Sequence, residues 1–202
     1  WSDGKGTDGE VIENKVTIES GDVRNDVVGG ESTSSAYNAA TVTKNEVTIT
    51  GGVVHGDVYG GITHADYRVG DDKLEKSSGG NIVTISGGRI GGLRKDGSTV
   101  DSAIYGGYAH GTNKTVETGN TINLGSADGQ YSADLTHTTI YGGATRADDN
   151  TLNVKAKDIT VKAVYNFKYY KFFLTDRVQA GDTMLTLTGQ DPSGKLFTGT
   201  QS

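Results

Sequence analysis

The chain has 202 residues, with 31 glycines, one proline, no cysteine, 33% aliphatic and aromatic residues and a formal net charge of −6. So little apolar material argues against a thick globular core, and the lack of cysteine excludes a disulfide framework or a thiolate metal site. The acidic balance, without any cluster of Lys and Arg, makes nucleic acid and anionic membrane poor partners.

The first four residues, Trp1-Ser2-Asp3-Gly4, lack the charge and apolar stretch of a signal peptide, so the chain is expected to be a fragment of a longer precursor. No apolar run approaches the ~20 residues of a spanning helix, and the chain is expected not to be membrane-spanning itself. The first predicted element is an alternating strand, Asn14-Lys15-Val16-Thr17-Ile18. It recurs as Asn45-Glu46-Val47-Thr48-Ile49, Asn81-Ile82-Val83-Thr84-Ile85, Asn120-Thr121-Ile122-Asn123-Leu124 and Asn150-Thr151-Leu152-Asn153-Val154. In every copy the third and fifth residues are aliphatic and the fourth is Thr or Asn, the period of two of a strand with one buried face.

A second strand follows each of these, with Val23, Val54, Ile90 and Ile159 aligned and then Val27, Val58, Ile104, Ile140 and Ala163. Residues Leu93 to Ala103 and Gly125 to Thr139 read as insertions before the latter set. Val28-Gly29-Gly30, Tyr59-Gly60-Gly61, Tyr105-Gly106-Gly107 and Tyr141-Gly142-Gly143 close the second strands. Their glycines are expected to supply either positive φ or close backbone approach. Val164 takes the place of the tyrosine in the last repeat. Polar returns are predicted at Glu31 to Lys44, Ile62 to Gly80, Tyr108 to Gly119 and Ala144 to Asp149.

Similar strands joined by returns, not by two-residue hairpins, pair most simply in parallel from coil to coil. A repeat this short cannot close a core alone, so its coils must stack. The predicted fold is therefore all-β, a parallel β-solenoid of five to six coils with nineteen inward aliphatic residues in four columns. Right-handed coiling is expected from the general rule for parallel crossovers. The whole of 1–202 reads as one elongated domain, with core coils over 14–166 and an aromatic-rich coil or extension over 167–202. There Phe167, Tyr169, Tyr170, Phe172 and Phe173 extend the core, with Leu185 and Leu187 on a further strand.

The Asn column is expected to form an amide ladder. The Tyr59, Tyr105 and Tyr141 column faces solvent or a corner, where stacked rings can shield a turn or bind sugar faces. Candidate binding residues outside the columns lie on the inserted segments: Asp66, Arg68, Asp71, Asp72 and Lys73 on one, and Arg94, Lys95, Asp96 and Asp101 on the other. Carboxylates beside Arg and Lys are the combination that calcium-dependent polysaccharide cleavage needs. Neither run repeats a paired-carboxylate spacing, so no catalytic residue, cofactor or metal is assigned. Gly51 to Tyr59 fails the nine-residue calcium repeat, and His55, His64, His110 and His137 occupy unlike positions that do not suggest zinc.

The recurrence of Asn-x-Val-Thr-Ile, a Gly-Gly, then Val-Tyr-Gly-Gly resembles the passenger repeats of autotransporter adhesins. The tail through Tyr169-Tyr170-Lys171-Phe172-Phe173-Leu174 and Gly181-Asp182-Thr183-Met184-Leu185-Thr186-Leu187 is similar to a segment of such passengers. The resemblance spans about residues 14 to 189 and implies a non-enzymatic, monomeric stalk or adhesin displayed from a bacterial outer membrane. Its implied partner is a glycan or protein on a host or bacterial surface. The alternatives are a carbohydrate-active β-helix, either a lyase or a phage-type spike, and a pure spacer.

Overall fold

The structure of the protein is a computed structural model that describes residues 9–34, 40–65, 76–94, 96–109, 115–144, 149–189 and 197–198. The strands sort into three parallel walls. The first wall contains Gly9–Ile12, Ala40–Thr43, Lys76–Gly79 and Thr115–Val116. The second contains Lys15–Ile18, Glu46–Val54, Ile82–Ile90, Thr121–Leu124, Thr151–Val154 and Tyr169–Phe172, in that order up the stack. The third runs Val27–Val28, Val58–Tyr59, Ser102–Ala109, Leu135–Gly143, Ile159–Tyr165 and Leu185–Leu187. The chain is thus a parallel β-solenoid of about six coils.

The alternation in the sequence sets the register. Val16, Val47, Val83, Ile122 and Leu152 lie one over another, as do Ile18, Ile49, Ile85, Leu124 and Val154. A slip of one residue would turn these columns out to solvent and bring Thr and Asn inside. Sixteen of the nineteen aliphatic residues predicted to face inward are buried, while Val16, Ile18 and Val23 of the first coil are partly buried and pack against the core.

The fifth coil corrects the predicted columns. Ile140 pairs with Val164, not Ala163, and Leu135 pairs with Val161. The Arg89–Asp134 bridge brings Leu135 beside Ile90, so Leu135 and Val161 hold the places expected of Ile159. Ile159 is buried too, but it pairs with Leu185. This coil has one residue more between its Asn and its Tyr than the first two coils, and Asp158 at its corner takes φ of 60°. The same shift makes Tyr165, not Val164, the equivalent of Tyr141.

The returns also differ from prediction, because they carry the first wall. Its buried residues include Val42 and Ser78, with Thr63 and Glu117 close by on neighbouring segments. The Leu93 insertion is a hairpin, Gly92–Leu93 against Thr99–Val100, which is the antiparallel pair among the described strands. Both insertions are shorter than predicted, since third-wall strands begin at Ser102 and Leu135. At the C-terminal end Phe167 is fully buried and Tyr170 continues an inner column, but Tyr169, Phe172 and Phe173 are exposed.

The Gly-Gly corners work by close approach, without positive φ. A Cβ on Gly60 would lie 2.3 Å from the Gly106 carbonyl oxygen, and one on Gly61 would lie 2.8 Å from the Asn81 side-chain nitrogen. The corners are glycine because the asparagine column and the next coil occupy that space.

Candidate functional site

Two ladders run up the coil corners. In the inner one, the backbone N–H and Nδ2 of each asparagine both donate to Oδ1 of the asparagine in the next coil. The distances are 3.0 and 2.9 Å from Asn14 to Asn45, and 3.1 Å for both bonds from Asn45 to Asn81 and from Asn81 to Asn120. They are 3.0 and 3.2 Å from Asn120 to Asn150. Nδ2 also donates to a first-wall carbonyl, that of Val11 from Asn45, Val42 from Asn81 and Ser78 from Asn120. Each buried carboxamide therefore ties two coils and two walls together, the structural role the column suggested.

The outer ladder is Tyr59, Tyr105, Tyr141 and Tyr165. Centroids are 5.1, 4.9 and 5.4 Å apart with interplanar angles of 7°, 11° and 26°. Tyr108 packs edge-on against Tyr59 and Tyr105. Both faces of Tyr105 and of Tyr141 are covered by neighbouring rings, which leaves their edges and hydroxyls, not their faces, for any sugar. Burial, reinforced by Asp57, pushes the Tyr59 hydroxyl far above its usual range, and burial carries Tyr105 up to about 12.

Asp57 connects this ladder to the hairpin. Its Oδ2 accepts from the Tyr59 hydroxyl at 3.2 Å, and its Oδ1 accepts from the N–H of Ala103, where the hairpin rejoins the third wall, at 2.7 Å. At the hairpin tip, Arg94 N–H donates to the Ser98 carbonyl and Asp96 accepts from Ser98 N–H and Oγ at 2.9 and 2.6 Å. Those Ser98 bonds, with Arg94 nearby, hold the Asp96 carboxyl below its ordinary range. Asp101 at the hairpin base accepts from Lys162, and His137 Nδ1 lies 3.6 Å from it.

Beneath the tip is a groove of about 390 Å³ lined by Asp22, Arg24, His55, Arg94 and Asp96. His55 is 16% exposed and its Nε2 lies 2.9 Å from Asp22 Oδ1. Among the described residues, neither Arg24 nor Arg94 has an ion pair through its guanidinium. Sequence reasoning singled out Arg94 and Asp96 but missed Asp22, Arg24 and His55. The missed signal was that Asp22, Arg24 and His55 flank aligned strand ends of adjoining coils, where Val23 pairs with Val54. A second groove of about 640 Å³ lies between the fourth-coil insertion and the next corner, with Gln130, Tyr131, Lys157 and Arg177 on its walls.

Asp66, Arg68, Asp71, Asp72, Lys73 and Lys95, with His110, lie outside the described residues. His64 sits by Glu31. No three His, Asp or Glu side chains gather as a metal site among the described residues. Among the described residues, no helix is long and apolar enough to cross a membrane.

The architecture and its ladders define a class, a parallel β-solenoid with an internal asparagine spine, an external tyrosine stack and a projecting hairpin. No protein-family model, no curated protein and no solved structure matches the chain.

Proposed function

We propose that the chain is a non-enzymatic passenger segment of autotransporter type, an adhesin or adhesin stalk displayed on a bacterial surface. It holds variable loops away from the cell for contact with a glycan or protein partner. The observation that supports this reading most is the hairpin at Gly92 to Val100. It departs from the stack while the strands on either side keep parallel register with their neighbours. Side chains on such an excursion are free to vary without cost to the core.

The test replaces residues 94–98, and separately residues 66–75, with short Gly-Ser links in the full-length protein. Adhesion of expressing cells is expected to fall while surface display and the β-sheet circular dichroism remain. Adhesion that persists in both replacements moves the contact surface elsewhere or makes the segment a spacer. Incubation with acidic polysaccharides is expected to release no unsaturated sugar ends, and their appearance would identify a lyase instead.

A further inference from the structure

We propose that the groove under the hairpin tip is a binding subsite for a sugar acid, a saccharide ring bearing one carboxylate. This names the ligand class for one displayed loop and takes its biological setting from the passenger reading. Its physical basis is the groove alone. Arg24 and Arg94 come from a first-coil corner and from the hairpin, and both line one groove with no ion pair from either guanidinium among the described residues. A guanidinium presents two parallel donors that match a carboxylate. His55 forms part of the lining, held by Asp22.

The carboxylates in the same lining decide between anions. Asp22 and Asp96 would repel a polyanion such as a nucleic acid, as would the chain's net charge of −6. They suit a ligand that pairs one negative group with several hydroxyls, because a carboxylate accepts hydrogen bonds from sugar O–H groups. A volume of about 390 Å³ is of the size found for small-ligand sites.

The experiment is calorimetric titration of the 202-residue chain with a glucuronate-containing oligosaccharide, its neutral glucose counterpart and an aspartate-rich peptide. Binding is expected for the acidic sugar alone. Arg24→Gln and Arg94→Gln should each weaken it about ten-fold or more, the loss expected when a charge-assisted bidentate contact goes. Arg177→Gln, in the other groove, should leave it unchanged, and circular dichroism should show every variant folded. Equal affinity for the neutral sugar, preference for the peptide, no binding at all, or folded Arg24 and Arg94 variants that bind normally would each overturn the subsite. Loss of adhesion on loop replacement without sugar-acid binding overturns this inference and leaves the display reading standing. Sugar-acid binding without any adhesion change does the reverse.

Discussion

The residue just before each ladder asparagine shows what single positions contribute. Glu13, Lys44, Gly80, Gly119 and Asp149 all have positive φ, from 53° to 72°, so every coil turns into its second wall through a left-handed residue. Only two of the five are glycine, although a Cβ in that region costs about 1–2 kcal/mol. Lys44→Gly is therefore expected to stabilise the protein by about 0.5–1 kcal/mol after the added chain entropy of glycine is subtracted. Gly119→Ala should cost about 1 kcal/mol. Urea midpoints at unchanged slope would measure both. The asparagine that follows is less replaceable. Asn81→Ala would leave the N–H and Nδ2 of Asn45 without their acceptor in a buried site. At ~1–3 kcal/mol per unsatisfied buried group, the expected loss is about 3 kcal/mol or more. A loss under about 1 kcal/mol would mean that the ladder is not a main source of stability.

At the scale of strands, what was legible in the sequence was whatever repeats with a period of two. The second wall and its inward columns follow from Val16-Thr17-Ile18 and its four copies, because aliphatic alternation encodes a half-buried strand directly. The first wall was hidden. Its strands bury Ser78 and Val42 alike, and their neighbours are satisfied by hydrogen bonds such as Ser78 Oγ to the Gly61 carbonyl at 2.8 Å, a pattern that reads as polar loop. Register in the fifth coil was misplaced by one because Val164 and Tyr165 both fit the Tyr position, and only pairing across coils separates them. The groove was half legible, since Arg94 and Asp96 stood out as inserted charges while Asp22, Arg24 and His55 looked like ordinary strand-end residues. The tyrosine ladder makes a prediction that belongs to this scale. Burial raises Tyr59, Tyr105, Tyr131 and Tyr141 above the usual ~10 of an unfolded tyrosine. The unfolded chain therefore loses protons first, so stability is intact below pH ~10 and falls as pH climbs toward about 12, where Tyr105 titrates. Thermal midpoints across that window should drop steadily, and Tyr105→Phe should flatten the drop. An unchanged slope in that variant would remove the ladder as its source.

For the whole molecule, each coil touches only its neighbours, so stability should be distributed along the stack instead of being shared equally. Ile82–Ile90 has partners on both sides, whereas Lys15–Ile18 at one end and Tyr169–Phe172 at the other each pair with a single described strand. Ile18 and Ile85 share one column and one chemistry, but Ile85 is fully buried and Ile18 is only partly so. Ile85→Ala should cost ~2–5 kcal/mol, the usual range for emptying a core site. Ile18→Ala should cost less than half as much, because less of its side chain leaves water on folding. Hydrogen exchange would show where the loss is felt. Ile85→Ala is expected to lower protection in the second, third and fourth coils together, since it weakens the interfaces above and below its own strand. Ile18→Ala should lower protection only in the first coil and leave Ile82–Ile90 unchanged. If both variants instead lowered protection uniformly to the same extent, the solenoid would be one globally cooperative unit, and a nearest-neighbour account of its stability would fail.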